Sequence, residues 1–345
     1  MQRKGPSGVP FVEVWRGELV ESVHAVAACA VDVDGNATIA LGDVDVPVYL
    51  RSAAKPFIAA AIVAAGAARA FGLESREIAV IAGSHNGEPP HVEAARSILR
   101  KAAIDERALR CGAHPPAYEP AAAALAARGL PFSAIHNNCS GKHAGILALA
   151  KFLGADLDGY LEPQHPAQAL ILAFCARLTG DDPTTFPLGV DGCGIPVFAS
   201  SLRRAARAFA RLATLDGGAA ADAEALGTVR AAMIAEPFFV GGTERFDSAL
   251  IAATGGRVVG KAGAEGVHGD ALVQLGLGLV LKVVDGNRRA TPPAAVALLN
   301  ALNALDDGAR AQLAPFAAPE LHNVAGRLVG RLTTDRHPLR QEVPI

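Results

Sequence analysis

Apolar and polar residues alternate along residues 11–50, where β-branched side chains are separated by small or polar ones. Asp34-Gly35-Asn36 and Gly42-Asp43 interrupt the alternation with residues that favour tight turns. This pattern predicts three or four antiparallel strands. The alanine-rich stretch from Ser52 to about Ala70 predicts a helix, and Pro56 lies near its first turn, where a missing N–H costs no hydrogen bond.

The spacing of apolar residues is mostly helical from Glu77 to about Ala221, and the intervening loops are rich in Gly, Pro, Asn and Asp. We predict helices at Pro90–Ala103, Glu119–Arg128, Lys142–Leu153, Pro166–Leu178, Val197–Leu215 and Asp222–Ala235. Towards the end of the chain, Arg257–Gly263 and Leu277–Asp285 resemble strands and Pro293–Leu305 a helix. Leu321–Leu332 shows no clear period.

Strands at both ends of the chain and helices between them predict an α+β fold. We expect one antiparallel sheet built from both termini, with a mainly helical middle region beside it. In this interpretation residues 1–345 form a single domain, with its sheet part at about 9–75 and 250–345 and its helical part at about 76–249. The sequence contains no repeat, no glycine fingerprint for a dinucleotide and no phosphate-binding P-loop, which argues against a nucleotide cofactor.

The composition raises the question of a membrane, because 51% of the residues are hydrophobic. The longest apolar run, from Pro56 to about Ala68, lies between Lys55 and Arg69 and is shorter than the ~20 residues that a bilayer requires. We therefore expect no membrane span. The net charge of −2 argues against nucleic acid or anionic lipid as a partner, because both bind through clustered cations.

The start of the chain and the cysteines indicate a cytoplasmic protein. Residues 1–8 contain Arg3 and Lys4 but no apolar signal core. The 5 cysteines are odd in number and widely spaced. We therefore expect reduced or metal-bound thiols instead of a disulfide framework.

The first candidate for chemistry is the segment Arg51-Ser52-Ala53-Ala54-Lys55-Pro56. A Ser-x-x-Lys spacing at a helix start places a hydroxyl and an amine one turn apart on the same face. Lysine acts as a base only when it is neutral, so its pKa must move from ~10.4 towards ~7–8. Burial or a second cation such as Lys261 would lower the pKa of Lys55 in this way. Alternatively, Ser52 caps the helix and Lys55 is solvated.

Three further segments carry polar side chains in exposed or flexible contexts. Residues 83–88 (Gly-Ser-His-Asn-Gly-Glu) follow an apolar run and form either a polar elbow that presents Ser84 or an ordinary turn. Residues 260–266 place Lys261 among small residues after a strand. The loop at 236–247 contains Arg245, which either binds a substrate carboxylate or forms an ion pair with Glu244 or Asp247.

Thiols and imidazoles suggest a zinc site in two segments. Residues 136–143 contain Cys139 between His136 and His143, and residues 191–194 contain Asp191 and Cys193. Spacing favours Cys139, Cys193 and a histidine as ligands. Two isolated buried thiols are the alternative.

Six segments occur in the order RSAAKPF, AGSHNGEP, HNNCSGKHAG, GVDGCGIP, GTERFD and GKAGAEGV within residues 51–267. Together they resemble the L-asparaginase II family, the class 3 or rhizobial-type asparaginases. The resemblance implies a serine-β-lactamase-like or glutaminase-like fold, a homodimer, and hydrolysis of L-asparagine to L-aspartate and ammonia.

The resemblance also implies roles for individual residues. Ser52 matches the nucleophile and Lys55 its partner, while Ser84 and Lys261 match a second Ser–Lys tandem. A Zn²⁺ ion is implied, and its ligands are Cys139, Lys142 and Cys193, with Asp191 adjacent to the metal. Here Lys142 takes the place of the histidine that spacing favours. The expected substrate contacts are Arg51, His143 and Arg245, and His136 is a candidate for a supporting contact.

Three other functions compete with an L-asparaginase. A glutaminase or another small-amide hydrolase differs by about one methylene of substrate, which is worth only about 1–3 kcal/mol of discrimination. A β-lactamase shares Ser-x-x-Lys, but the chain has neither Ser-Asp-Asn nor Lys-Thr-Gly. A non-catalytic zinc-containing amino-acid sensor would bind asparagine without releasing ammonia.

Overall fold

A computed structural model describes residues 5–334 of the chain. The strands are β1 (Val9–Arg16), β2 (Leu19–Val31), β3 (Ala37–Leu41), β4 (Pro47–Tyr49), β5 (Leu188–Val190), β6 (Pro196–Ser201), β7 (Val258–Ala262), β8 (Val267–Leu272), β9 (Leu277–Val283), β10 (Glu320–His322) and β11 (Leu328–Thr333). The helices are α1 (Lys55–Ala64), α2 (Ala67–Ala70), α3 (Ser75–Ala82), α4 (Pro89–Lys101), α5 (Glu119–Ala127), α6 (Ser140–Phe152), α7 (Pro166–Thr179), α8 (Leu202–Thr214), α9 (Ala220–Ala235), α10 (Pro237–Val240), α11 (Phe246–Ala253), α12 (Thr291–Ala301) and α13 (Asp307–Ala317).

The two ends of the described chain build one eight-stranded sheet in the order β10-β11-β1-β2-β9-β8-β7, with β3 also paired to β2. Every pairing in this sheet is antiparallel. The predicted α+β class, with an antiparallel sheet from both ends and helices between them, is confirmed. The serine-β-lactamase-like or glutaminase-like topology, the single-domain organisation and the homodimer stay predictions.

Each face of the large sheet contributes to a different hydrophobic core. Val259 and Ala271 belong to the larger core, which also contains α1, α6 and α8. Val258 and Leu272, one position away on the same strands, belong to a second core beneath α12 and α13. Because side chains alternate along a strand, Lys261 of β7 shares the face of Val259. His268 and Asp270, the polar residues of β8, lie on the opposite face.

Helix α8 lies very close to β8 and β9 because glycines face it. A Cβ atom at Gly278 would overlap the backbone of Ala206, and one at Gly269 would overlap the ring of Phe209. Any larger residue there would push α8 off the sheet. These contacts fix the sheet against the helical region that carries most of the candidate site.

Some predicted elements need correction. The predicted helix Val197–Leu215 is wrong over its first residues, because Pro196–Ser201 forms the fully buried strand β6 and Ser201 caps α8 through the N–H of Arg204. The predicted helix from Ser52 to Ala70 is divided. It begins as a 3₁₀ turn at Arg51–Ala54 and is interrupted by Gly66, whose φ of 92° ends α1.

Six elements were absent from the sequence prediction: α3, α10, α11, α13, β5 and β8. Strand β8 reads Val-His-Gly-Asp-Ala-Leu, and its polar residues conceal its fully buried character. The segment Leu321–Leu332, which shows no period in the sequence, contains β10 and most of β11.

Two exclusions from the sequence concern the membrane and the cysteines. No helix within residues 5–334 is both long and apolar enough to span a bilayer. All five cysteines are buried and free, which agrees with the expectation of no disulfide framework. Arg3 and Lys4, used above to judge the start of the chain, lie outside the described residues.

Candidate active site

Lys55 is the first residue of α1, and its side chain is completely buried. Its Nζ donates hydrogen bonds to Gly83 O at 2.6 Å, Ser84 Oγ at 3.0 Å and Asn138 O at 3.2 Å. A solvated lysine is thereby excluded. Burial lowers the pKa of Lys55 to about 8; the negative charge of the Cys139 thiolate opposes this decrease and the nearby Lys142 cation adds to it.

Ser52 lies in the 3₁₀ turn immediately before Lys55 and is half-buried. No side chain caps this turn or α1, so the capping role considered for Ser52 is not present. The preceding residue, Arg51, has a φ of 51°, which is in the left-handed region that a side-chain-bearing residue rarely adopts. Such strain is typical of functional sites, where the surrounding structure holds it in place.

The turn that carries Ser52 packs against the end of β7. A Cβ atom on Gly263 would lie 2.7 Å from Leu50 O and 3.2 Å from Ala53 N. Only glycine therefore allows the segment after Lys261 to contact the backbone on both sides of Ser52. This contact brings the first and last of the six sequence segments together.

Ser84 lies in the loop between α3 and α4, and this loop is bonded to the segment before α11. The Ser84 N–H donates to Val240 O at 2.8 Å, and the Asn86 N–H donates to Gly241 O at 2.9 Å. The Glu88 carboxylate accepts from the backbone N–H of Thr243 at 2.9 Å. Residues 83–88 are therefore a fixed polar elbow.

Arg245 contacts this elbow through a hydrogen bond to the neutral side-chain amide of Asn86. Its Nη1 donates to Asn86 Oδ1 at 2.9 Å. Among the ion pairs formed within residues 5–334, none joins Arg245 to Glu244 or Asp247, so the ion-pair alternative is not realised. Arg245 also lines a cavity of about 430 Å³ together with Gly263 and Arg288. A guanidinium without a carboxylate partner in such a cavity is suited to bind an anionic group.

Lys261 is completely buried on β7, and its partner is Asp247 at the start of α11. Nζ donates to Asp247 Oδ2 at 2.9 Å and to Ala262 O at 2.6 Å. Burial lowers the pKa of Lys261, although Asp247 opposes this effect. Burial raises the pKa of Asp247, but the Lys261 cation and His268 overcome this and lower the pKa to about 2.

The resemblance implies the pairs Ser52–Lys55 and Ser84–Lys261, but the hydrogen bonds of the structure join these residues differently. Within residues 5–334, the hydrogen bond to Ser84 comes from Lys55, and neither lysine is hydrogen-bonded to Ser52. The coulombic effect of Lys261 on Lys55 nevertheless lowers the pKa of Lys55 further, so the two amines belong to one electrostatic cluster.

The four residues of the implied zinc site also come together. Cys139 precedes α6, Lys142 lies in its first turn, and Cys193 lies in the loop between β5 and β6. Lys142 Nζ is 3.1 Å from Cys193 Sγ, and the Cys193 thiol hydrogen-bonds Cys139. That hydrogen bond lowers the pKa of Cys139. Asp191 is held by Arg51, whose Nη2 lies 2.7 Å from Asp191 Oδ1.

The donor chemistry fits zinc only if lysine supplies a ligand. Residues 5–334 contain no cluster of three or more His, Cys, Asp or Glu that could hold a metal ion. Two thiols and the amine of Lys142 nevertheless provide the sulfur and nitrogen donors that Zn²⁺ prefers. Because these ligands bind in their deprotonated forms, loading would release protons from Lys142 and the thiols. Zinc stays a prediction.

The two histidines of this region make different contacts. His136 Nδ1 accepts from the Ser133 N–H at 3.0 Å. His143 Nδ1 lies 2.7 Å from the hydroxyl of Tyr160, which also accepts from the Arg110 N–H. Burial holds the pKa of His143 well below its usual value, so the ring is neutral. Its buried Nε2 has no hydrogen-bond partner and is available to a ligand.

A comparison with protein families identifies the family of the chain. The sequence profile described as L-asparaginase II matches residues 12–334, which is nearly the whole chain. The chain belongs to the L-asparaginase II family. This membership supports an asparaginase-type amidohydrolase and a small-molecule amide as the substrate class.

Other comparisons add little to the assignment of this L-asparaginase II family member. A solved structure described as "Crystal Structure Analysis of Mglu" is similar over 81% of this chain and 67% of that chain. The sequence identity is 14% and the TM-score 0.39, which is too low to assign the fold. A search of curated proteins found no match.

The family member's site contains residues that the sequence motifs did not single out for this chemistry. Asp247 was considered only as a partner of Arg245, and Tyr160, His268 and Asp270 were not considered. The sequence did contain a signal for His268 and Asp270, because this His-x-Asp pair interrupts an apolar run at residues 267–272. A polar pair inside a buried strand requires partners. His268 and Asp270 are hydrogen-bonded to each other, and His268 lies 3.9 Å from Asp247, the partner of Lys261.

Proposed function

We propose that the protein hydrolyses the side-chain amide of L-asparagine to L-aspartate and ammonia, with Ser52 as the nucleophile and Lys55 as the base. The observation that carries the proposal is the buried amine of Lys55, bonded to Ser84 and one residue after the turn that bears Ser52. A pKa of about 8 gives this amine a substantial neutral fraction near pH 8. Family membership supports the reaction class.

The reaction divides into two steps in this proposal. Ser52 Oγ bonds to the amide carbon while its proton passes to the Ser84–Lys55 pair. The tetrahedral intermediate then expels the amide nitrogen as ammonia, which requires one proton, and leaves an aspartyl ester on Ser52. Water attacks the ester and its oxygen joins aspartate. One of its protons restores the hydroxyl of Ser52 and the other is lost from the new carboxylic acid, while the proton held by Lys55 leaves with ammonia as ammonium.

Lys261 has two roles in the proposal. As a cation it lowers the pKa of Lys55 and so favours the neutral base. It also supplies the proton that the departing nitrogen needs, because burial makes its ammonium more acidic than that of a solvated lysine.

Substrate recognition is assigned to Arg245, His143 and Arg51. Arg245 binds the substrate carboxylate in the cavity that it lines with Gly263, the residue against the Ser52 turn. The unpartnered Nε2 of His143 donates to the substrate from the helix that also bears Lys142. Arg51 acts mainly through its ion pair with Asp191, which holds the strained backbone before Ser52.

Cys139, Lys142 and Cys193 would hold a zinc ion, with Asp191 adjacent. When bound, the ion supplies positive charge that orients polar groups of the substrate and braces the loops beside α6.

The test measures ammonia release from L-asparagine and L-glutamine by purified protein and by the Ser52→Ala variant. We expect release from asparagine in preference to glutamine and its loss in Ser52→Ala. Ser75→Ala, a change at an exposed serine outside the site, serves as the matched control and should retain activity.

Each other outcome identifies a competing function. Faster release from glutamine would replace the proposal with a glutaminase. Asparagine binding without ammonia release, by folded and zinc-loaded protein, would indicate an amino-acid sensor. Hydrolysis of a β-lactam would indicate the penicillin-recognising class.

A further inference from the structure

A group of four ionisable side chains is buried around the edge of β7. Lys261, Asp247, His268 and Asp270 are each at most 1% exposed. Lys261 Nζ lies 2.9 Å from Asp247 Oδ2, and His268 Nε2 lies 2.8 Å from Asp270 Oδ1. The two pairs meet at Asp247, whose Oδ1 is 3.9 Å from His268 Nδ1.

The two pairs lie on opposite faces of the sheet. Lys261 projects towards the helical region with Ser52 and Lys55, on the face of Val259. His268 and Asp270 alternate with Gly269 on β8, so they share the face of Leu272. Asp247 bridges the faces at the sheet edge, where both of its oxygens accept the Ala262 N–H at 3.1 Å.

The charges of this group balance only when His268 carries a proton. Among these four side chains, two carboxylates and one ammonium leave a net negative charge, which a protonated His268 offsets. The cation Arg245 also acts on Asp247 and Lys261 from outside the group. Burial lowers the pKa of His268, but the carboxylates of Asp270 and Asp247 overcome this and raise it above its usual value. A protonated His268 gives two positive and two negative charges.

The geometry leaves room for Asp247 to respond to His268. His268 Nδ1 and Asp270 Oδ2 are buried and have no hydrogen-bond partner. A gap of 3.9 Å to Asp247 is longer than a hydrogen bond and closes with a small rotation of the carboxylate. Gly260 leaves room for the His268–Asp270 pair itself, since a Cβ atom there would lie 2.6 Å from Asp270 Oδ1 and 3.1 Å from His268 Nε2.

We propose that the His268–Asp270 pair is a positioning element for the Ser–Lys chemistry: it places a second cation on the far side of Asp247 and so weakens the hold of that carboxylate on the proton of Lys261. The proposal rests on the function proposed above, in which Lys261 protonates the departing nitrogen. Neither His268 nor Asp270 contacts the substrate in this scheme. Both act through Asp247.

The proton balance of the cycle is simple. The Lys261 ammonium gives one proton to the departing nitrogen and becomes a neutral amine, while His268 keeps its proton and remains beside Asp247. Ester hydrolysis then consumes one water. Its oxygen joins the aspartyl carbonyl, one proton returns to Ser52, and the proton of the carboxylic acid that forms returns to Lys261. The proton that Lys55 received from Ser52 leaves with ammonia as ammonium, which restores the neutral amine of Lys55.

Other charged groups around the pair are few. Arg245 and Cys139 act on Lys261 along with Asp247. Asp270, Asp247 and Lys261 act on His268, and the ring of Phe246 lies 5.3 Å from it. Arg245 also acts on Asp247. A change at His268 therefore reaches Lys261 both directly and through Asp247.

The first experiment follows the protonation of Lys261 directly. The chain has only 7 lysines, so protein labelled with carbon-13 at the ε position of lysine gives few signals, and Lys261→Met assigns one of them. In the unmodified protein we expect the Lys261 signal to move in two steps with pH. The small step coincides with the titration of His268 and the large step reports the loss of the lysine proton.

The second experiment uses His268→Asn and Asp270→Asn, which each remove the cation beside Asp247. We expect the large Lys261 step to shift upwards by about one pH unit or more in both variants. His24→Asn is the matched control, because His24 is also buried and paired with an aspartate, Asp285 at 2.6 Å. It should leave the Lys261 signal unchanged.

The pH dependence of kcat distinguishes a positioning role of the pair from a merely structural one. For ammonia release, we expect kcat at pH 7 to fall about tenfold in both variants with little change in KM, and the alkaline limb of kcat to shift upwards with the Lys261 signal. Loss of packing alone would lower the melting temperature or kcat without moving that limb.

The outcomes separate this inference from the proposed function. A Lys261 signal that titrates in one step, with the same midpoint in the unmodified protein and both variants, overturns the inference even if asparagine is hydrolysed. Coupled titration without ammonia release would retain the link between His268 and Lys261 and reject the proposed reaction. If a variant fails to fold, the two-step titration of the unmodified protein still decides.

Discussion

Lys55 Nζ lies 3.0 Å from the hydroxyl of Ser84, a residue 29 positions away in the sequence, and no hydrogen bond within the described chain joins it to Ser52. The local Ser-x-x-Lys spacing thus brings the amine near one serine while tertiary structure bonds it to another. The two hydroxyls are expected to differ in function. In the proposed mechanism Ser52 attacks the substrate and Ser84 passes a proton to Lys55.

The pH dependence of the reaction should report Lys55. Its pKa of about 8 lies below the usual value for lysine because the side chain is buried. The neutral base gains population as pH rises through this value, so kcat/KM for ammonia release should increase between about pH 7 and 9. A profile governed only by a group that titrates near pH 6.5 would contradict the role of Lys55.

The two serines can be separated by trapping the covalent intermediate. We expect Ser52→Ala to abolish ester formation and Ser84→Ala to slow it about 10²–10⁴-fold, the usual contribution of a proton-transfer group. Rapid acid quench followed by mass spectrometry of peptides should find the aspartyl ester on Ser52. An ester on Ser84 would reverse the assignment.

Gly263 should be intolerant of a single methyl group. In Gly263→Ala the new Cβ would press on Leu50 O at 2.7 Å and displace the turn that carries Ser52. We expect a large loss of kcat and a decrease in Tm. Gly227→Ala is the control. Gly227 lies within α9, where alanine favours the helix, and the nearest atom to its new Cβ would be a methyl group of Leu215 at 3.5 Å. Equal effects of the two substitutions would refute the contact.

Asp247 should contribute stability that is lost in acid. Its pKa of about 2 in the folded protein lies below the usual ~3.9, so the contribution is fully present above pH ~4 and is lost as pH falls towards 2. The shift corresponds to about 2 kcal/mol. Asp247→Asn should lower the free energy of unfolding by about 3–5 kcal/mol at pH 7, since it leaves Lys261 unpaired.

The measurement for Asp247 is chemical denaturation at several pH values. The difference between the unmodified protein and Asp247→Asn should narrow between pH 4 and 2. A difference that stays constant over this interval would show that the ionised carboxylate of Asp247 is not the source of the stability.

The implied zinc site predicts a metal content that depends on two thiols and one amine. Protein purified without chelator should contain about one zinc per chain, and Cys193→Ser and Lys142→Gln should each lower it severely, as measured by elemental analysis. Cys175→Ala is the control, since Cys175 is buried in α7 and lies outside the site. Unchanged zinc after loss of Cys193 would place the metal elsewhere.

The sequence predicted the parts of the fold whose signals are local. Alternation between residues 11 and 50 and the helical spacing between 77 and 178 depend on neighbouring residues, and both were confirmed. Strand β8 was missed because the pattern of a strand is judged by its apolar residues, whereas His268 and Asp270 are polar and buried. Only their mutual hydrogen bond makes that burial favourable.

The candidate site shows the same division between local and distant information. Motifs identified Lys55, Ser84 and Lys261 as residues of interest, but no spacing rule predicts that Lys55 reaches Ser84 or that Lys261 pairs with Asp247. Those contacts arise where separate elements meet, and they depend on close approaches such as that of Gly263. The single-domain organisation, the homodimer and the roles of individual residues stay predictions.

Asp247 also affects how the sheet can meet other chains. In the described part of the sheet, β3, β7 and β10 each pair with one neighbour and are edge strands. An edge strand with free N–H groups invites pairing with a strand from another molecule. The carboxylate of Asp247 occupies the Ala262 N–H at the edge of β7. A foreign strand would have to break a buried ion pair to align there, so we expect the residue that holds Lys261 to hinder strand pairing along this edge as well.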